Sequence, residues 1–274
     1  MICYTPSHTC YIRELDTRPG LPFLLMLHGF MGSHDVFDAL TIHLRSFCNP
    51  VLVDLPGHGL SSHHADPKRY ETERLAGEML SIVDRFQFEP LFLYGYSMGG
   101  RLAQQMAIRQ PEWFRGLLLE SSHCGIEDEA EREQRKVWDE EQAKQLLSEP
   151  DAFSESWSRL PLFGSDADQH PEQTGIIRTQ HPPAMAAVMR GFGAGSMPPI
   201  CRELASLNLP ALWLAGEQDK KYVQRGVQMA ELNHRFVFKS VLEAGHRIHL
   251  NQPERLAAHI KSFIQRHVSQ LENR

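Results

Sequence analysis

Short apolar runs alternating with helix-length segments constrain this chain more than any other feature. The runs 23–27, 51–54, 91–95, 116–120, 211–215 and 236–242 are mostly unalternated and bounded by Gly, Pro, Asn or charged residues. Strands covered on both faces look like this, because neither side has to meet water. Between them, 36–47, 69–86, 99–110 and 222–232 have helical length, and 253–270 follows the last run. The repeated strand, helix, strand rhythm predicts an α/β fold with a mostly parallel central sheet flanked by helices. The rhythm lapses between 125 and 207, where 128–147, 151–157 and 183–191 read as helices separated by Pro and Gly and no strand candidate occurs. The expected division is a core of 1–124 and 208–274 with a helical cap inserted at 125–207, whose Gly- and Pro-rich exit at 191–199 is a candidate hinge.

Composition excludes several classes. With 42% hydrophobic and 23% charged residues over 274 positions, the chain has material for a core and too little charge for disorder. A net charge of −6 offers no broad basic face to a phosphate backbone, so nucleic acid is not an expected partner. No run approaches the roughly 20 apolar residues of a membrane helix, and the first residues lack the basic-then-apolar pattern of an export signal. No membrane partner and a cytoplasmic location are therefore expected, with the protein a monomer or small homo-oligomer. The five cysteines are an odd count without a C-x-x-C pair and are expected to be reduced and structural. No cofactor is expected, since no dinucleotide glycine fingerprint follows the first strand. No metal is expected either: His246-x-x-His249 and His63-His64 lack a third ligand cluster.

Gly95-Tyr96-Ser97-Met98-Gly99-Gly100 directly follows an apolar run and opens a helical one. A serine nucleophile projects from such a strand-to-helix turn, and the flanking glycines permit the close backbone approach the turn demands. Two convergent N–H donors for an oxyanion come from the residue after the serine, Met98, and from the loop after an earlier strand, where His28-Gly29-Phe30 supplies Phe30. The base is His246, in Gly245-His246 after the final apolar run. Its orienting acid is Asp219, in Gly216-Glu217-Gln218-Asp219, with Glu120 as the rival because it also ends a strand. The chain order is serine, acid, histidine. Arg101 lies one helical turn beyond Ser97 on the same side of that helix, within reach of the pocket mouth.

Together with Asp54-Leu55-Pro56-Gly57-His58-Gly59, these motifs resemble the α/β-hydrolase superfamily over nearly the whole chain. A narrower set is similar to the 2-succinyl-6-hydroxy-2,4-cyclohexadiene-1-carboxylate synthases of menaquinone biosynthesis. It comprises Gly95 to Arg101, Glu120-Ser121-Ser122-His123 with Gly125, Glu131-Arg132 with Arg135, Glu149-Pro150, the stretch 153–157 and Arg178. Ser121, Ser122 and Ser158 depart from that pattern without removing a charge. The narrower resemblance implies a lyase that eliminates pyruvate, with Ser97, His246 and Asp219 as the base. Its substrate is a small anion with three carboxylates, which call for fixed cations. The resemblance places Arg101, Arg135, Arg178, Tyr96, Trp157 and Lys221 around that substrate. A serine hydrolase acting on a carboxylester or a carbon–carbon bond of a small acid, using the same triad, is the alternative.

Overall fold

The six apolar runs form the parallel body of one sheet. The computed structural model describes residues 1–86, 88–164 and 166–272, with side chains to residue 268. Its strands are β1 (Ile2–Tyr4), β2 (Thr9–Glu14), β3 (Phe23–Leu27), β4 (Asn49–Val53), β5 (Leu91–Tyr96), β6 (Gly116–Glu120), β7 (Ala211–Gly216) and β8 (Phe236–Val241). They lie in the order β1-β2-β4-β3-β5-β6-β7-β8. Every residue of β4, β5, β6 and β7 is buried, which is why these runs need no polar alternation.

Two strands precede the first expected one. β2 runs antiparallel to β4, with Ile12 opposite Val53, and carries β1 on its outer edge. Only Cys10 and Ile12 of β2 are buried, so the strand lacks the continuous apolar run by which the inner ones are recognised.

The helices are α1 (Asp38–Leu44), α2 (Thr72–Phe86), α3 (Met98–Arg109), α4 (Glu129–Ser148), α5 (Pro150–Ser158), α6 (Asp166–Gln169), α7 (Pro171–Arg178), α8 (Pro182–Phe192), α9 (Cys201–Ala205), α10 (Lys220–Leu232), α11 (Ile248–Asn251) and α12 (Pro253–Glu272). Helices α4 to α9 intervene between β6 and β7. β3 pairs with β4 on one side and β5 on the other, so successive strands depart in opposite directions from it. In parallel sheets the crevice beyond the carboxyl ends of strands at such a reversal is where ligands sit. The turn carrying Ser97 and the loop carrying Phe30 both leave the sheet there.

One expectation is corrected. Cys124 and Cys201 are not reduced but joined in a disulfide, with Cα atoms 4.9 Å apart, while Cys3, Cys10 and Cys48 are free and buried. The bond ties the loop leaving β6 to α9, and Ile200 N–H donates to the Cys124 carbonyl at 2.8 Å beside it. Their separation of 77 residues carries no pairing signal in a sequence. The Gly-rich exit of α8 is packed rather than open. Gly195 N–H donates to Asp139 Oδ2 at 3.2 Å, Met197 is fully buried, and a Cβ on Gly195 would stand 2.6 Å from Lys136 N. These glycines allow α4 and the exit segment to touch.

Candidate active site

Ser97 occupies a turn that few side chains tolerate, with φ +50° and ψ −111° between β5 and α3. The chain passes so tightly that a Cβ on Gly95 would lie 2.5 Å from the Gly99 carbonyl, and one on Gly99 would collide with the Leu27 carbonyl. The tight turn projects the serine side chain. Met98 opens the helix, so its N–H is one of the four first-turn donors with no intrahelical acceptor.

His246 Nε2 lies 3.2 Å from Ser97 Oγ, and His246 Nδ1 lies 2.7 Å from Asp219 Oδ2. Asp219 N-caps α10, just past β7, and the imidazole is 1% exposed. Tyr222 covers the ring at 4.7 Å between centroids. The rival Glu120 is fully buried and engaged elsewhere: it accepts from Tyr94 Oη and from His249 N–H at 3.0 Å, and His249 Nδ1 lies 2.8 Å away. His28 is fully buried, with Nε2 accepting from Leu55 N–H at 3.0 Å, so it fixes neighbouring loops.

Ser97 opens on a cavity of about 290 Å³. Its floor includes Phe30, Tyr96, Ser97, Met98 and Arg101, and α4, α5, α7 and α8 supply much of the rest, including Trp138, Trp157, Ile177 and Phe192. Trp157 packs on Phe30 at 5.1 Å and Phe153 at 5.4 Å. Arg101 is 7% exposed, donates from Nη1 to the Phe192 carbonyl at 2.9 Å, and has its guanidinium 4.9 Å from the Phe192 ring. Burial, reinforced by the Arg135 charge, pulls its pKa down to about 10, so it remains a cation at neutral pH. Arg135 lies over Trp138 at 4.7 Å and donates to Asp139 at 2.8 Å. His123, also in the wall, accepts from Gly125 N–H at 3.0 Å. Burial and then the charges of Arg101, Arg135, Lys221 and Arg225 hold it neutral, well below its ordinary range. That wall is electropositive.

Of the expected substrate residues, Arg101, Arg135, Tyr96 and Trp157 line the cavity, together with Phe30 and Met98. Arg178 and Lys221 do not. Arg178 projects from α7 with its side chain 55% exposed and donates to Glu155 at 2.8 Å. Lys221 is exposed in the first turn of α10. Position in the chain places a residue on the cap or on a helix but says nothing of its rotation about that helix. Sequence reasoning passed over Arg247, Tyr222 and Trp138, which all line the cavity. Arg247 had one readable signal, a cation directly after the expected base. Among the described residues no group of three or more His, Cys, Asp or Glu is placed to hold a metal ion, and no helix is long and apolar enough to cross a membrane.

Comparison with known proteins places relatives beside this chain. A curated 2-succinyl-6-hydroxy-2,4-cyclohexadiene-1-carboxylate synthase from Enterobacter sp. (strain 638) is 29% identical over 245 residues, covering 88% of this chain and 91% of the relative. The Escherichia coli O1:K1 / APEC protein of the same name is 27% identical over 253 residues, covering 90% and 95%. Among solved structures, MenH from S. aureus superposes with a TM-score of 0.87 at 29% identity, covering 94% of this chain and 98% of that one. The family described as the alpha/beta hydrolase fold matches residues 22–253, and the chain belongs to that family.

Proposed function

We propose that this chain is a 2-succinyl-6-hydroxy-2,4-cyclohexadiene-1-carboxylate synthase of menaquinone biosynthesis, a lyase that eliminates pyruvate from 2-succinyl-5-enolpyruvyl-6-hydroxy-3-cyclohexene-1-carboxylate. The similarity to synthases of that name over most of the chain supports the reaction. The observation that carries the substrate class is Arg101. It is a buried guanidinium beside the serine turn, hydrogen-bonded to a carbonyl rather than a carboxylate, with Arg135 facing the same cavity. An apolar ester gains nothing from such a charge, whereas a polycarboxylate supplies the missing counter-ion.

In the proposed sequence Ser97, relayed by His246 and oriented by Asp219, takes the proton beside the succinyl ketone. The charge moves to the ketone oxygen, facing the N–H groups of Phe30 and Met98. One preorganised donor of that kind is worth roughly 3 kcal/mol. The electrons then return through the ring double bond and break the ring carbon–oxygen bond. The departing enolpyruvate takes back the proton held on His246 and becomes pyruvate. No acyl-enzyme forms.

Pyruvate release from the cyclohexene substrate tests this directly. The parent protein is expected to release it, and Ser97→Ala to lose the activity; turnover near the parent level in that variant removes Ser97 from the mechanism. Rapid cleavage of short p-nitrophenyl esters with no pyruvate would overturn the lyase in favour of a serine hydrolase.

A further inference from the structure

A second buried guanidinium lines the same cavity as Arg101. Arg247 directly follows His246, is 6% exposed, and lines the cavity with Tyr96, Phe163 and His249. Its guanidinium lies 3.7 Å from the Phe163 ring centroid. Nη1 is buried without a hydrogen-bond partner among the described residues. The carboxylate facing it is Asp166 of α6, whose Oδ2 is 3.7 Å away, beyond hydrogen-bonding range, and likewise unpartnered. Asp166 cannot simply close the gap, because its Oδ1 accepts from Asn251 Nδ2 at 2.9 Å and Asn251 in turn accepts from Gly245 N–H at 2.9 Å.

A buried cation held short of its counter-ion is an expensive arrangement for stability alone. It suits an incoming carboxylate, which the unpartnered Nη1 can grip while the Phe163 face holds the plane of the guanidinium. We propose that Arg247 forms a second anion subsite of this cavity, binding one carboxylate of a di- or tricarboxylic ligand while Arg101 and Arg135 bind another. Asp166 is its built-in competitor: it holds Arg247 in place and weakens the grip on the ligand. The subsite deepens the polycarboxylate reading above and rests on it for the identity of the substrate.

Calorimetric binding of three stable ketones tests the subsite without turnover. These are 4-oxo-4-phenylbutanoate, the same compound with an ortho ring carboxylate, and the neutral 4-oxo-4-phenylbutanamide. Arg247→Gln is expected to weaken the dicarboxylate by about tenfold or more, and to weaken the amide far less. Arg247→Lys should recover part of the loss. Asp166→Asn, which keeps an acceptor for Asn251, should tighten the dicarboxylate several-fold. A purely structural role for the pair predicts instead that both substitutions weaken all three ligands alike, and that result overturns the subsite. So does unchanged dicarboxylate affinity in Arg247→Gln, or a parent protein that binds neither acid at millimolar concentration. If Arg247→Gln does not fold, the opposite-sign effect of Asp166→Asn carries the test. Pyruvate release by the parent is measured alongside. The binding pattern without pyruvate refutes the synthase reading and leaves the subsite standing; pyruvate with a flat pattern does the reverse.

Discussion

Asp219 and Glu120 each present a carboxylate to a histidine, and the fold gives them different neighbours. Asp219 holds the nitrogen of His246 that faces away from Ser97, and in the proposed mechanism its charge fixes the tautomer and steadies the imidazolium that forms when a proton is taken. Glu120 knits Tyr94 and His249 together in full burial. Asp219→Asn is therefore expected to lower kcat for pyruvate release by on the order of 10⁴ with little change in melting temperature. Glu120→Gln should keep most of the turnover and lose about 1–3 kcal/mol of stability, because buried donors are left unmatched. A folded Glu120→Gln protein as inactive as Asp219→Asn would reverse the roles. A second residue-level effect sits outside the cavity lining. His8, between β1 and β2, is 4% exposed and 3.7 Å from Glu78 of α2. Burial, opposed by the Glu78 charge, pulls its pKa from 6.5 down to about 4. The unfolded chain takes up this proton near pH 6.5 and the folded one only near pH 4, so stability is lost as pH falls through that window. The loss is about 3 kcal/mol at most. Urea denaturation at pH 7 and pH 4.5 should show it in the parent and a smaller slope in His8→Gln; identical slopes would remove His8 as the cause.

At the scale of elements, the covalent bond between Cys124 and Cys201 ties the loop leaving β6 to α9. A denaturing thiol titration should count three free thiols before reduction and five after. Cross-linking a loop of this length stabilises by about 4 kcal/mol through chain entropy, so Cys201→Ser should lower the midpoint of chemical denaturation accordingly. Five thiols in the unreduced protein would remove the clasp. The bond was illegible in the sequence because pairing over 77 residues depends on where β6 and α9 end in space. The inner strands were legible because burial on both faces leaves a continuous apolar run. β1 and β2 were not, because an edge hairpin buries only one side and Cys10 and Ile12 alone do not make a pattern. The serine turn was readable because its geometry demands particular residues, and the collisions a Cβ would meet at Gly95 and Gly99 are that demand. Cap residues were a different matter. Arg135 on α4 and Arg178 on α7 carry the same charge, but one turns into the cavity and the other out to Glu155, and helical spacing without a known axis cannot separate them.

The whole molecule carries a net charge of −6 while its cavity wall gathers Arg101, Arg135 and Arg247. The grip on the proposed anionic substrate therefore depends on how closely the helices between β6 and β7 are seated, since short-range contacts rather than the outer field must hold it. The seating rests on Gly191, at the end of α8. A Cβ there would collide with the Pro67 carbonyl and come within 3.0 Å of Tyr70 Cβ. Tyr70 cannot yield, being fully buried with its hydroxyl donating to the His64 carbonyl at 3.0 Å and accepting from His64 N–H at 2.9 Å. Gly191→Ala must then lift α8 from the core. The next residue, Phe192, supplies the carbonyl that holds Arg101, so the lift reaches the anion site directly. Small displacements of positioning groups cost up to about a hundredfold in rate, and overpacking costs about 1–3 kcal/mol in stability. The expected outcome is a KM for the cyclohexene substrate raised on the order of tenfold, with labelling of Ser97 by a small neutral phosphonate nearly unchanged. Gly77→Ala in α2, where a Cβ meets nothing within 4 Å, is the control and should gain about 0.5–1 kcal/mol. If Gly191→Ala instead keeps the parental KM, the cap and the core adjust independently, and the seating of α8 does not set the grip on the anion.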